Sequence, residues 1–182
     1  MRGRYMTLRC TQNGNGIIDA VAVLLTITLL AILATPSFMT LRETQKTIAL
    51  INEVTTHLAI TRSAAVTHGT DAIMCPRGEG QLCADTHDWS RGWLIYLDPD
   101  GNRSPDRDSD IIFSHAAQAT ERSRLLTSQG RKQIRYMSNG RTGTSNATFY
   151  VCNGKSQKGR ITINVGGRAR SSRTTSPVPC PS

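Results

Sequence analysis

The sequence predicts an α+β fold, with one long amino-terminal helix packed on an antiparallel β domain. Three observations point there. An apolar run from Ile17 to Ala34 passes directly into apolar residues at helical spacing. From residue 70 the pattern changes to short β-like runs separated by turn clusters. The chain has 182 residues, 38% of them apolar and 5% aromatic, which suits one small core and not a large enzyme with a deep cavity. A single helix followed by six or seven short strands reads as α+β.

The amino-terminal segment comes first. Residues 1–14 are polar and carry Arg2, Arg4 and Arg9. Ile17 to Ala34 is apolar except for Asp19, Thr26 and Thr28, and with Pro36, Phe38 and Met39 it reaches the roughly twenty residues that span a bilayer. A secretory signal peptide would have a shorter apolar core and a small-residue cleavage site, whereas Ala34 to Phe38 runs straight into a polar helical pattern. A retained membrane helix is therefore expected. Basic residues precede it and none follows before Arg42, which places the amino terminus in the cytoplasm and exports the rest. Asp19 near the start of such a helix has two readings. It is an anion favoured by the helix dipole near the interface, or it is a pairing group for assembly.

Leu41, Ile48, Ile51, Val54, Leu58 and Ala65 follow at steps of three, four and seven, forming one helical stripe suited to core packing. The helix should run from about residue 17 to about 67, bend at Pro36 and end at Gly69. The expected strands are Ala72–Cys75, Trp93–Leu97, Ile111–Phe113, Ile134–Met137, Thr148–Cys152 and Arg160–Val165. Asp98–Asn102, Ser138–Gly140 and Val165–Gly167 are turn signals. The organisation is thus a leader over 1–14, a helix over 15–67 and an exported β-rich domain over 68–182.

The charge is unevenly distributed. The net charge is +9. Residues 122–182 hold twelve Lys or Arg and no acid, while residues 15–121 hold seven Lys or Arg and thirteen Asp or Glu. An acid-free block of that length is a candidate polyanion surface. Its densest part is Gly166-Gly167-Arg168-Ala169-Arg170-Ser171-Ser172-Arg173. In an extended chain Arg168 and Arg170 share a side, because side chains alternate. Gly167 permits a turn or a close backbone approach. Two guanidinium forks on one face, beside the hydroxyls of Ser171 and Ser172, suit phosphate oxygens. Lys155, Lys158 and Arg160 on the preceding hairpin extend the patch. Tyr136, Phe149 and Tyr150 lie in strands and read as core, not as a base-stacking platform. Binding there should be phosphate-driven and sequence-tolerant.

Other chemistry is weakly represented. Asp98, Asp100, Asp106, Asp108 and Asp110 cluster, but their order is not that of a calcium loop and Arg103 and Arg107 intrude, so a solvated turn is expected. There is no CxxC, and His57, His68, His87 and His115 are scattered, which argues against zinc. No GxSxG or phosphate loop is present. Neither an enzyme nor a cofactor is indicated. Of the five cysteines, Cys10 lies in the leader. Cys75, Cys83, Cys152 and Cys180 lie in the exported part, an even count that suggests two disulfides with three possible connectivities.

Gly14-Asn15-Gly16-Ile17-Ile18-Asp19, the apolar run and Pro36-Ser37-Phe38 together resemble the type IV pilin amino terminus. The resemblance implies cleavage after Gly14 by a prepilin peptidase, giving Asn15 as first residue, Asp19 as fifth and Pro36 as twenty-second. Cleavage after Gly16 fits that register less well. Asn15 stands where Phe or Met is usual, and Asp19 where Glu is usual. In the family the acid pairs with the amino terminus of a neighbouring subunit. Thr61-Arg-Ser-Ala-Ala-Val66, Cys75-Pro76 with Cys83, Trp89-Ser-Arg-Gly-Trp-Leu-Ile-Tyr-Leu-Asp98 and Ile161–Arg170 before a last Cys are similar to FimT-like minor pilins and GspH-type pseudopilins. That resemblance implies Cys75–Cys83 and Cys152–Cys180 disulfides, and it makes Gly167-Arg168-Ala169-Arg170 the GRxR motif with which FimT-like proteins bind DNA in natural transformation. It further implies other pilins as partners through the amino-terminal helix, and double-stranded DNA without sequence preference. Residence begins in the inner membrane, with the domain in the periplasm, and ends in an extracellular fibre. The alternatives are a GspH-type pseudopilin of a type II secretion system and a purely structural minor pilin.

Overall fold

The computed structural model describes residues 16–117, 123–143 and 146–181. Cys10, Gly14, Asn15 and Arg122 lie outside them. The chain divides into two compact units, one ending at Thr44 and one beginning at Gln45. Helix α1, Gly16–His68, has 53 residues.

In the first unit the helix is apolar on every side. Ile17, Val21, Leu24, Leu25, Ile27, Leu30 and Ile32 are all more than half exposed. A helix with no polar face is built to be buried in lipid or among other helices. Leu33, Ala34 and Pro36 lie outside the described side chains. Among the described residues no helix is long and apolar enough to cross a membrane. Leu41, placed on the core stripe by its spacing, belongs to this unit and is 55% exposed. Among its described residues the unit is a single helix.

In the second unit the stripe does what its spacing demands. Ile51, Val54, Leu58 and Ala65 are buried and Ile48 is half-buried. Gly69 ends the helix in the left-handed conformation, at φ 64°. Two four-stranded antiparallel sheets follow. The first contains β1 (Asp71–Pro76), β2 (Gly92–Asp98), β3 (Ile111–Ala116) and β5 (Ile134–Tyr136), in the order β3-β2-β1-β5. The second contains β4 (Ser123–Thr127), β6 (Ala147–Asn153), β7 (Ser156–Ile163) and β8 (Ala169–Pro179), in the order β4-β6-β7-β8. One core joins the helix stripe to Ala72, Met74, Trp93 and Ile95 of the first sheet and to Leu125, Phe149, Val151, Ile161 and Ile163 of the second. Two buried indoles find partners within it, whereas the buried hydroxyls of Tyr96 and Tyr136 have none among the described residues. The Trp93 indole donates to His57 Nδ1 at 3.1 Å, and the Trp89 indole to Thr127 Oγ1 at 3.2 Å.

The described residues form eight strands where six or seven were expected. Strands β4 and β8 were not anticipated, and β7 lies earlier than expected, with Val165 in the turn after it. Cys75 is bonded to Cys83 and Cys152 to Cys180.

Candidate nucleic-acid interface

The basic segment is no solvated tail. Residues 169–179 form β8, an edge strand paired along β7. The turn between them is built by Asn164 and Gly167. The Gly167 N–H donates to the Asn164 carbonyl at 2.8 Å, and Asn164 Oδ1 accepts the Arg168 N–H at 2.9 Å. Gly167 has φ 79°, and a Cβ there would collide with the Gly140 carbonyl and press on Tyr136. Both roles expected of this glycine, a turn and a close approach, are present at one residue. Gly167 itself is buried.

Register decides which cations meet. Arg170 pairs with Thr162 and Ser172 with Arg160. Arg160 and Arg170 are therefore diagonal neighbours on the outward face, about 7–8 Å apart at their backbones. Arg168, two residues before Arg170 and opposite Asn164, continues that face at the turn. All three are exposed. The Arg160 Nε–H donates to Ser172 Oγ at 3.4 Å. Tyr150, expected in the core, is half-buried on this face opposite Arg160, whereas Tyr136 and Phe149 are fully buried.

Two proposed members lie elsewhere. Arg173 pairs with Gly159 on the side turned to the helix, where it borders a groove with Ile48, Ile51 and Asn52. Ser171 shares that side, opposite Ile161. Lys155 sits in the β6–β7 turn, its carbonyl held by the Cys180 N–H at 2.9 Å. That is the far end of the hairpin, roughly 30 Å from Arg168 at about 3.3 Å per residue. Lys158 is exposed at a bulge between Gln157 and Gly159, partway between the two ends.

The acid-free block is partly neutralised by the other half of the chain. Arg124 reaches Asp88 at 3.7 Å, Lys132 reaches Asp85 at 2.6 Å and Arg135 reaches Asp71 at 3.3 Å. Among the described residues no ion pair engages Arg160, Arg168 or Arg170. Sequence reasoning did not assign Arg62. It lies on the helix in Thr61–Val66 and donates to the Gly166 carbonyl at 3.3 Å, which places a further cation behind the turn. The signal was an arginine beside a fully buried Thr61 at the end of the stripe. Among the described residues no group of His, Cys, Asp or Glu is arranged to hold a metal ion.

A helix laid on two antiparallel sheets, with a disulfide in each half of the β domain, is the architecture of a pilin-like subunit. The fold is similar to that of the type IV minor pilin FimU of Pseudomonas aeruginosa in two crystal structures. The TM-scores are 0.58 and 0.52 and the identities 15% and 14%, covering 75% and 70% of this chain and 95% and 93% of those chains. No curated protein matches the chain. The family described as type II transport protein GspH matches residues 50–167, and the chain belongs to that family. Members of this pilin-like family are non-enzymatic structural subunits that assemble with other pilins.

Proposed function

We propose that the protein is a minor pilin of a type IV pilus that binds extracellular double-stranded DNA, without sequence preference, for uptake in natural transformation. The observation that carries this reading is the outward row of Arg160, Arg170 and Arg168, exposed and without an ion pair among the described residues. Like charges placed side by side on a strand weaken it. A polyanion relieves that cost, and guanidinium groups give it charge-assisted hydrogen bonds. Contacts of this kind position the duplex without reading bases. Lys158 extends the row, while Lys155 at the far end and Arg173 on the helix side contribute less. In this reading the precursor is cut after Gly14 and Asp19 pairs with the new amino terminus of a neighbour. The apolar helix holds the subunit in the inner membrane until it enters the fibre.

The GspH family match favours a second reading, a pseudopilin of a type II secretion system whose basic face binds no DNA. Duplex binding by the detergent-solubilised full chain, measured by anisotropy over a salt series, separates the two. The Arg168→Gln/Arg170→Gln variant should bind more weakly and flatten the slope of log K against log salt by about two units, at about 0.9 for each phosphate contact. Scrambling the duplex sequence should change little. Wild-type affinity and slope in the double variant would sink the DNA reading and leave the structural one.

A further inference from the structure

A cleft of about 170 Å3 lies between the two sheets, lined by Arg103, Arg131, Gln133, Arg135, Thr142 and Gly143. It adjoins a wider recess of about 570 Å3 that shares Arg103, Arg131 and Gln133. The cations here differ in their pairing. Lys132 and Arg135 are taken up by Asp85 and Asp71, whereas Arg103 and Arg131 have no ion pair among the described residues. Arg103 is also the one described non-glycine residue with positive φ, at 64°. Two contacts hold it in that conformation. Its N–H donates to the carboxylate of Asp98, itself 2% exposed, at 3.2 and 3.3 Å, and its carbonyl accepts from Gln133 Nε2 at 3.2 Å. Backbone strain maintained by surrounding contacts is a mark of a functional position. Arg131 is anchored likewise, its N–H on the Ser128 carbonyl at 3.1 Å and its carbonyl on the Thr127 hydroxyl. Thr142, in the cleft wall, donates its N–H to the Val165 carbonyl at 3.1 Å and its hydroxyl to the Asn164 carbonyl at 2.8 Å. The cleft and the turn carrying Arg168 thus meet at one residue.

We propose that Arg103 and Arg131 form a second phosphate-binding site, taking a phosphodiester of the same duplex that the β7–β8 face engages. The inference rests on the DNA reading above. The cleft supplies what the open strand face lacks, which is a concave seat with two guanidinium groups and the Gln133 amide. It sets the path of the duplex from the turn, past Thr142, onto the first sheet.

The test is the salt series on the full chain with the Arg103→Gly/Arg131→Gln variant. Glycine is the residue that a φ of 64° favours, so the thermal midpoint should hold or rise. The slope should fall by about 1.8, in addition to the fall from Arg168→Gln/Arg170→Gln. An unchanged slope here with a flattened one there overturns the cleft and leaves DNA binding intact. No change in either variant overturns both. A second arm titrates inorganic phosphate while the amide resonances of Gln133, Thr142 and Gly143 are followed. Shifts with phosphate alongside an unchanged duplex slope would make the cleft a free-phosphate site and overturn the duplex contact.

Discussion

A methyl group on Gly167 would have to occupy the space of the Gly140 carbonyl and hold a φ that side chains avoid. Gly167→Ala should therefore cost about 1–3 kcal/mol, read from urea denaturation, and should weaken duplex binding by moving Arg168. His57 makes a second prediction at this scale. Burial lowers its pKa below the ordinary 6.5, Glu53 opposes the shift and His115 adds to it. The ring faces Trp93, Phe113 and His115, and its Nδ1 accepts the Trp93 indole, which requires that nitrogen to be unprotonated. As pH falls through about 6.5 the unfolded chain binds the proton first, so stability is full above that value and declines below it. Thermal melts between roughly pH 5 and 7 should show this loss, and His57→Gln, which keeps an acceptor without a titrating ring, should flatten it. At this scale much of the site was legible. Alternation placed Arg168 and Arg170 together, and the same rule puts Arg173, three residues on from Arg170, on the other face. Arg103 was not legible, because it reads as an intruder among aspartates until its φ and its cleft are seen.

At the scale of elements, the helix stripe and most strands could be read because their apolar residues recur with the period of the element. Strand β8 could not. An edge strand with one face in solvent and the other along the helix needs no alternating apolar residues, and Ala169–Pro179 has almost none. Its prolines mark the same fact, since an edge tolerates a missing donor. Strand β4 offered only Leu125 and Leu126 between charged and polar residues. The Cys152–Cys180 bond fastens the far end of β8 to β6 across 28 residues. Replacing both cysteines with serine should cost about 3–4 kcal/mol on the chain-entropy model. Amide exchange should quicken along residues 169–179 before it does in β6 or β7.

At the scale of the whole molecule, the division of charge was visible in the sequence, but its consequence was not. Three basic residues of the acid-free block are spent on acids of the earlier half, while among the described residues Arg160, Arg168 and Arg170 on the strand face and Arg103 and Arg131 in the cleft have no ion pair. Mass spectrometry of membrane-extracted protein should find a mature chain beginning at Asn15. An intact Met1 would contradict the assembly role given to Asp19.

The order of the core along the chain has one more consequence. Among the described residues, every buried residue of the main cluster has been supplied by Ile163, and beyond it only Ala169 packs against that cluster, partly covered. Arg168, Arg170, Arg173 and the last half-cystine all come afterwards. The segment that carries these cations thus joins the interior last, as an edge strand pinned by its pairing with β7 and by a disulfide. Diversifying the exposed side chains at 168, 170 and 172 would alter what that face can adhere to while leaving the fold's interior untouched.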